Sequence, residues 1–365
     1  MSLDVEIDYA VFIGRFSPLH NGHLTVMKTA FSKAKKVIVL LGSDRRPRTA
    51  KNPFSAAERA TMVHAACEEV LHVSPERLIT RGIGDHLYAE NRWIAEVQKV
   101  VADAIREDGG DPKTAKVALV GRNKDSSSYY LNSFAQWGVI EVPRCDSLSA
   151  TEIRRHLFSG STGDWRLACA NVPHPVTDML KAFQNNSSAY AGLKAEHDYV
   201  EKYKSSWKGS PFPPMFVTVD AVVLNRGHVL LVRRKGYPGK GLWALPGGFL
   251  NQRETLKAAM LRELKEETRI KVSKEDLENA IRRVEVFDHP DRSQIGRLVT
   301  HAHLLDLDRC ALPGARRLVD NPEVMGDDDA EIACWIPIAE ALEMSEDFFD
   351  DHFDILEMFM GSYRQ

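Results

Sequence analysis

Four glutamates, Glu254, Glu263, Glu266 and Glu267, fall in a stretch of good helix formers from Glu254 to Thr268 that holds no proline or glycine. The composition predicts a helix over these residues. Glu263 and Glu267 are four apart and Glu266 is three from Glu263, so these carboxylates share one face. Like charges so placed repel by roughly 0.2–0.5 kcal/mol per pair. The cluster therefore needs basic neighbours, for which Arg262 and Lys265 are available, or a bound cation. An acidic stripe of this kind is most often a solvated face, but its flank argues otherwise. Trp243-Ala-Leu-Pro-Gly247-Gly248 reads as an apolar strand end that breaks into a double glycine, permitting a tight turn just before the helix. A hard, oxygen-rich site here suits Mg²⁺ or Mn²⁺, which bind carboxylates and a diphosphate together, polarise a phosphoryl group and help generate hydroxide.

A second constellation lies near the other end of the chain. The apolar run Tyr9–Ile13 leads into a loop containing Gly14, Arg15 and Phe16, then His20-Asn-Gly22-His23, then a helical pattern from Leu24 to Ala34. No G-x-G-x-x-G follows the strand, so there is no dinucleotide fingerprint. Two histidines three apart stand where a helix begins, and free backbone N–H groups at such a terminus favour an anion. Alone, the pair is equally a metal site or a structural feature. Ser149-Ala-Thr151-Glu-Ile-Arg154 strengthens the anion reading: Thr151 is placed to cap the following helix, and Arg154 offers a fork of donors for phosphate.

Gly248, Glu254, Arg262, Glu263, Leu264, Glu266, Glu267 and Ile270 match in order the box G-x5-E-x7-R-E-U-x-E-E-x-G-U, where U is aliphatic, and the second half of the chain thus resembles the Nudix family. One position departs, because Arg269 stands where the box has glycine; a positive-φ helix terminus there costs an arginine roughly 1 kcal/mol in strain. The resemblance implies Glu263 and Glu267 as leading metal ligands, Glu266 as a further ligand, and Gly248, Glu254 and Arg262 as supports around them. It also implies that one of Asp328, Asp329 or Glu331 in the acidic loop Gly326–Glu331 adds a ligand or base, although a solvated loop explains most of those charges. Gly241–Phe249 resembles the branch of the family that handles ADP-ribose, with Trp243 or Phe249 stacking on adenine or simply packing. The histidine and Arg154 clusters resemble the H-x-G-H and (S/T)-x-T-x-x-R signatures of the nucleotidylyltransferase superfamily. Gly14–His20, Asn52–Arg59, Asp85–Trp93 and Lys124–Tyr130 resemble, in order, the archaeal-type nicotinamide mononucleotide (NMN) adenylyltransferases. That resemblance implies His20, His23 and Arg154 on the triphosphate of ATP. It adds Gly14, Arg15, Phe16, Gly22, Lys124, Ser149 and Thr151 to the ATP site and Asp85, Asn91 and Trp93 to the NMN site. Trp93 is as readily a core anchor on the stripe Trp93, Ile94, Val97 and Val101, and Lys124 as readily a solvated loop lysine.

The elements that must position these groups read as two α/β patterns. Strands at Tyr9–Ile13, Lys36–Gly42, Arg77–Gly82, Lys116–Gly121 and Val139–Val142 alternate with helices, including one opened by Ser55-Ala-Ala-Glu58 and one over Glu90–Glu107. This predicts a doubly wound, Rossmann-like domain over 1–185 with ligands at the strand carboxyl ends. A helical connector and linker over 186–214 ends in breaker residues. From 215 to 365 strands at Phe216–Leu224, His228–Arg233, Arg283–Phe287, Arg297–Leu307 and Ile332–Ile336, with a helix near Phe349–Met360, suit a Nudix α/β/α sandwich. With 365 residues, 44% hydrophobic, 27% charged and a formal net charge of −3, the chain reads as soluble and globular, with no electrostatic case for nucleic-acid binding. Met1–Tyr9 lacks a basic segment followed by an apolar core, and no apolar run is long enough to span a bilayer. Five scattered cysteines without a C-x-x-C pair fit free thiols in the cytosol.

As a whole the chain resembles the bifunctional NMN adenylyltransferase/Nudix hydrolase proteins. This implies NAD and pyrophosphate formation from ATP and NMN in the first domain, and metal-dependent cleavage of ADP-ribose to AMP and ribose 5-phosphate in the second. Two alternatives stand beside it: the second domain is a non-catalytic nucleotide sensor, which Arg269 favours, or the first domain uses another phosphate acceptor. By analogy with the Nudix branch, the chain forms a homo-oligomer.

Overall fold

In a computed structural model we describe residues 7–121, 133–142, 149–308 and 320–363. Lys124 and the rest of its motif, with Cys145 and Cys310, lie outside them. The chain divides into two compact units, Met1–His197 and Asp198–Gln365.

The first unit is built on a five-stranded parallel sheet in the order β3-β2-β1-β4-β5. Its elements are β1 (Ile7–Gly14), α1 (Asn21–Lys33), β2 (Ala34–Leu41), α2 (Ala56–Glu69), β3 (Leu78–Gly82), α3 (Glu90–Glu107), β4 (Val117–Gly121) and β5 (Gly138–Glu141). After these come α4 (Ala150–Phe158), α5 (Thr162–Ala170), α6 (His174–Asn186) and α7 (Ser188–Ser206), within which the division falls. The strands are apolar throughout because both faces are covered. Ala10, Phe12, Val37, Val39, Ala118 and Val120 face one cluster with α1, α2 and α4, while Tyr9, Val11, Ile38, Leu40 and Leu119 face α3 on the other side. The strand order reverses at β1 and β4, which places the crevice at their carboxyl ends.

The second unit holds a seven-stranded mixed sheet with the path β10-β11-β6-β7-β12, β8 lying on β7 and β9 on β6. The strands are β6 (Met215–Asn225), β7 (His228–Arg234), β8 (Trp243–Ala244), β9 (Gly247–Phe249), β10 (Ile281–Phe287), β11 (Arg297–Asp306) and β12 (Ala330–Pro337). The helices are α8 (Leu256–Thr268), α9 (Lys274–Ala280), the short α10 (Ile338–Ala341) and α11 (His352–Tyr363). A two-residue turn joins β6 to β7, with Arg226 at φ 48° and Gly227 at φ 72°, the left-handed pair that matches strand twist in a tight hairpin. Helices α8 and α9 cover one sheet face through Met260, Leu261, Leu264 and Leu277. Near α11, Phe359 packs on Phe287, with ring centroids 5.9 Å apart.

Every strand predicted from the sequence is present with ends within two residues, while β9 was not anticipated. Two helix starts are corrected. The helix predicted from Leu24 begins at Asn21, since His20 itself is its N-cap. The acidic helix begins at Leu256 with Thr255 as its cap, so Glu254 precedes the helix. Among the described residues no helix is long and apolar enough to cross a membrane, and Cys67, Cys169 and Cys334 are free thiols.

Next to the first residue of α11, Asp351 is fully buried and takes both Nε and Nη2 of the buried Arg292, each at 2.9 Å. Removing one partner of such a pair leaves the other charge buried. Asp351→Asn is expected to cost about 3–5 kcal/mol in denaturant unfolding of the whole chain. A cost below 1 kcal/mol would show that the charge of Arg292 is not stranded by the change.

Candidate functional sites

At the carboxyl end of β1, His20 and His23 cap α1 with their own side chains. His20 Nδ1 accepts from the Gly22 N–H at 3.1 Å and His23 Nδ1 accepts from the His20 N–H at 3.3 Å, a reciprocal capping box made of two imidazoles. The rings lie 3.7 Å apart between centroids. With Nδ1 used as acceptor, the proton of each neutral ring sits on Nε2, which makes Nε2 a donor. Phe16, at φ 50° and only 1% exposed, wedges its ring 4.7 Å from that of His23 and against Gly14. The ring of Phe16 therefore packs against that of His23.

Arg154 is buried, donating Nη1 to the Ser17 carbonyl at 2.7 Å and Nη2 to Thr151 Oγ1 at 3.1 Å. Burial, with the Arg15 charge nearby, brings its pKa down to about 10. The expected cap is corrected: Ser149 caps α4 in a box with Glu152, while Thr151 sits inside the helix and holds Arg154. Arg59 was not singled out in the sequence although it ends the Asn52–Arg59 motif. It is buried and gathers the carbonyls of Arg15, Gly42 and Ser43 at 2.7, 2.6 and 3.3 Å, tying together the carboxyl ends of β1 and β2. Asp85 accepts from Ser43 N and Oγ at 3.0 and 2.9 Å and from Arg46 Nε at 3.1 Å. Asn91 is exposed at the start of α3, and Trp93 is half-buried against Phe134, with centroids 5.9 Å apart.

In the second unit Arg262 organises the acidic helix. It binds Glu254 in a fork at 3.1 and 2.6 Å, Glu263 at 2.8 Å, Glu266 at 2.9 Å and the Phe249 carbonyl at 3.1 Å. Its hydrogen bonds hold the Glu254 carboxyl down at about 2. Glu263 is shifted upward, burial outweighing the pull of Arg262. Glu267 is buried and accepts from the Gly247 N–H at 3.0 Å, yet desolvation pushes its pKa up to about 8. Among the described residues no three acidic, histidine or cysteine side chains already converge on a metal-sized point. The donor set nevertheless fits a hard divalent cation, being all oxygen and including a desolvated carboxyl, Glu267, that forms no ion pair within 4 Å among the described residues.

The double glycine is corrected from a turn to strand β9, and neither residue has positive φ. Gly247 must be glycine because backbone lies against it, and Gly248 leaves the room that the Glu263 carboxyl occupies. A Cβ on Gly247 would lie 2.2 Å from the Val219 carbonyl oxygen and 2.5 Å from Asp220 Oδ1, and one on Gly248 would lie 2.6 Å from Glu263 Cδ. Behind Gly247 lies a buried polar group that the spacing of motifs did not reveal. Thr300 Oγ1 donates to Asp220 Oδ2 at 2.6 Å, His352 Nε2 stands 3.9 Å from Asp220 Oδ1, and His352 Nδ1 accepts from the Leu245 N–H at 3.0 Å. Its only sequence signal was a lone aspartate in the apolar strand Phe216–Leu224. In the acidic loop, Asp328, Asp329 and Glu331 are exposed, while Asp327 pairs with Arg269 at 2.6 Å.

Arg269 ends α8 in the left-handed conformation at φ 44°, ψ 30°. The backbone there costs a non-glycine residue about 1 kcal/mol. The exposed pair with Asp327 returns at most about 1 kcal/mol. Arg269→Gly is therefore expected to leave stability unchanged or raise it by up to ~1 kcal/mol, whereas Arg269→Ala, strained and unpaired, lowers it by a similar amount. Thermal denaturation of both variants checks the sign.

Comparison with known proteins places residues 11–156 in the cytidylyltransferase-like family and residues 214–359 in the NUDIX domain family. The chain is 33% identical over 195 residues to the nicotinamide/nicotinic acid mononucleotide adenylyltransferase of Acinetobacter baylyi, covering 53% of this chain and 94% of that one. It is 36% identical over 91 residues to the ADP-ribose pyrophosphatase of Methanocaldococcus jannaschii, covering 25% of this chain and half of that one. A crystal structure of a bifunctional NMN adenylyltransferase/ADP ribose pyrophosphatase from Francisella tularensis, complexed with AMP and manganese ion, superposes with a TM-score of 0.86 at 34% identity, over 98% of this chain and 99% of that one. With both units matched in one continuous relative, the chain belongs to the family of bifunctional NMN adenylyltransferase/ADP-ribose pyrophosphatases.

Proposed function

We propose that this chain is an enzyme of NAD metabolism that forms NAD and pyrophosphate from ATP and NMN in its first unit and hydrolyses ADP-ribose to AMP and ribose 5-phosphate in its second. The observation that carries the reading is the presence, in one chain, of the histidine-capped α1 beside Arg154 and of α8 with its Arg262-bound glutamates. The match to the bifunctional Francisella protein over nearly the full length of both chains supports it.

In the first reaction an NMN phosphate oxygen attacks the α-phosphorus of ATP, and the bond to the leaving pyrophosphate breaks. The reaction requires positioning and charge neutralisation. His20 and His23 offer Nε2–H donors, and Arg154 and Arg15 offer positive charge at the same loop. Gly14, Gly22, Ser149 and Thr151 shape that loop and the start of α4, and Asp85, Asn91 and Trp93 would meet the nicotinamide end. In the second reaction, water adds to one phosphorus of the diphosphate and the bridging P–O bond breaks. Glu263, Glu266 and Glu267 would hold a divalent cation, Mg²⁺ or Mn²⁺, with Arg262, Glu254 and the Gly247 N–H fixing their orientation. When bound, such a cation supplies Lewis acidity to the diphosphate and makes coordinated water more acidic. Asp328, Asp329 and Glu331 remain candidates for further help.

Two substitutions test the halves separately. Glu267→Gln keeps an acceptor for Gly247 while removing the charge. ADP-ribose hydrolysis is expected to fall by about 100-fold or more, with NAD formation retained and the melting temperature unchanged or raised. His20→Asn keeps an excellent helix cap but deletes the Nε2 donor. NAD formation is expected to fall by roughly 100-fold, with ADP-ribose hydrolysis and stability retained. A wild-type chain that makes no NAD from ATP and NMN would refute the first assignment. Binding of ADP-ribose without turnover in Mg²⁺ or Mn²⁺ would refute the second.

A further inference from the structure

Arg59 lies on α2 with its side chain turned into the carboxyl end of the first unit's sheet, where it is 3% exposed. Its donors reach four carbonyls. Nε takes that of Ser55 at 3.3 Å, Nη1 those of Arg15 and Gly42 at 2.7 and 2.6 Å, and Nη2 that of Ser43 at 3.3 Å. Arg45, Arg46 and Arg48 each pair with a carboxylate, of Glu96, Asp85 and Glu58 respectively. Arg59 forms no ion pair within 4 Å among the described residues. Its partners follow two different strands, and a planar fork spans them where the single nitrogen of an ammonium does not.

Those carbonyls flank two turns that need holding. Phe16, next after Arg15, and Ser43, next after Gly42, both adopt the left-handed backbone, at φ 50° and 55°, which a residue with a Cβ resists. Both are buried. At the first turn the Arg15 carbonyl is taken by Arg59 and the Ser17 carbonyl by Arg154 at 2.7 Å. At the second the Ser43 carbonyl is taken by Arg59, while the Ser43 N–H and hydroxyl donate to Asp85 Oδ1 at 3.0 and 2.9 Å. Backbone of this kind persists only where its surroundings over-determine it. Arg59 is bonded to both turns, and the turns serve different substrates: the first the triphosphate of ATP, the second, through Asp85, NMN.

We propose that Arg59 is a positioning residue of the first reaction that ties its two substrate subsites together, acting on ATP through the Arg15 carbonyl and on NMN through Ser43 and Asp85. The assignment rests on the reading of this unit as one that joins ATP to NMN. Arg59 itself meets neither substrate. It fixes the loop that holds one against the aspartate assigned to the other, so that the attacking phosphate oxygen meets the α-phosphorus.

The test measures steady-state NAD formation by the full-length chain, against ATP and against NMN, together with the melting temperature, for wild type, Arg59→Lys, Arg59→Met, Asp85→Ala and the double variant Arg59→Lys with Asp85→Ala. Misplacing the two turns should raise both KM values by about 10-fold or more in Arg59→Lys and lower kcat by roughly 10- to 100-fold, with Arg59→Met more severe. In the Asp85→Ala background the effect of Arg59→Lys on the NMN KM should shrink to within about twofold, while its effect on the ATP KM persists. If both KM values stay within twofold of wild type and only kcat falls with the folded fraction, Arg59 is a brace for the fold alone and the proposal is overturned. A rise in one KM alone, or an NMN effect undiminished by Asp85→Ala, also overturns it. If neither Arg59 variant folds, Ser43→Ala decides, since it cuts the hydroxyl link to Asp85 and leaves the guanidinium in place: an unchanged NMN KM there overturns the proposal and a raised one sustains it. Should wild type bind ATP and NMN without forming NAD, the reading of the reaction falls and the two Kd values, measured by calorimetry, take the place of KM in judging Arg59. A wild type that binds neither overturns both.

Discussion

The carboxyl of Glu267 sits on an amphipathic helix that turns it inward, where it is 6% exposed and bonded to a backbone N–H. A charge cannot remain there unless something positive or proton-bearing joins it. The neighbouring structure is shaped to keep that carboxyl in place without neutralising it. Gly247 has no Cβ because Val219 and Asp220 press against its α-carbon, and that tight contact brings its N–H to Glu267. Asp220 is held by Thr300, while the segment just before Gly247 is held by His352, whose Nδ1 takes the Leu245 N–H. His352 stays neutral in this setting, since burial lowers its pKa more than the nearby aspartates raise it. The buried Arg292 and Asp351 anchor the start of α11 that carries this histidine. A local demand at one helix position therefore reaches, by successive contacts, to the far end of the unit's sequence.

In the first unit the corresponding demand is for donors. A helix N-terminus has unpaired N–H groups, and serine or threonine usually takes them. Here imidazoles do so, and the consequence is chemical as well as structural. By spending Nδ1 on the backbone, each ring is left with its proton on Nε2 and its orientation fixed. The buried ring of Phe16 prevents His23 from rotating away.

Much of this was legible in the sequence where periodicity or spacing carried it. The continuous apolar runs of β1, β2 and β4 announced a doubly covered parallel sheet, and Ser55 with Glu58 announced α2. The glutamates of α8 were readable because three- and four-residue spacing has only one meaning on a helix. The rest depended on proximity that no local pattern encodes. Gly247 and Gly248 read as a turn because glycine most often answers a dihedral demand, whereas here they answer a steric one imposed by residues 28 and 15 positions away at Val219 and Glu263. Thr151 read as a cap because its type fits one, but Ser149 reached the position first and left Thr151 to hold Arg154. Asp220, Arg292 and His352 come from three distant segments, and only the fold brings them together.

The loop around His20 and the acidic helix α8 use their arginines in opposite ways, which accounts for their opposite ligands. Arg59 and Arg154 donate to the carbonyls of Arg15, Gly42, Ser43 and Ser17, which are dipoles without net charge. Carbonyl partners fix a guanidinium while leaving its positive charge in force, and the charge of Arg15 beside Arg154 adds to it. A loop built this way attracts a polyanion. Arg262 and Arg292 bind carboxylates instead, so their charge is consumed within the protein and the glutamates left beside them give the site a net demand for a cation. The sign of each site thus follows from the hydrogen-bond partners its arginines are given.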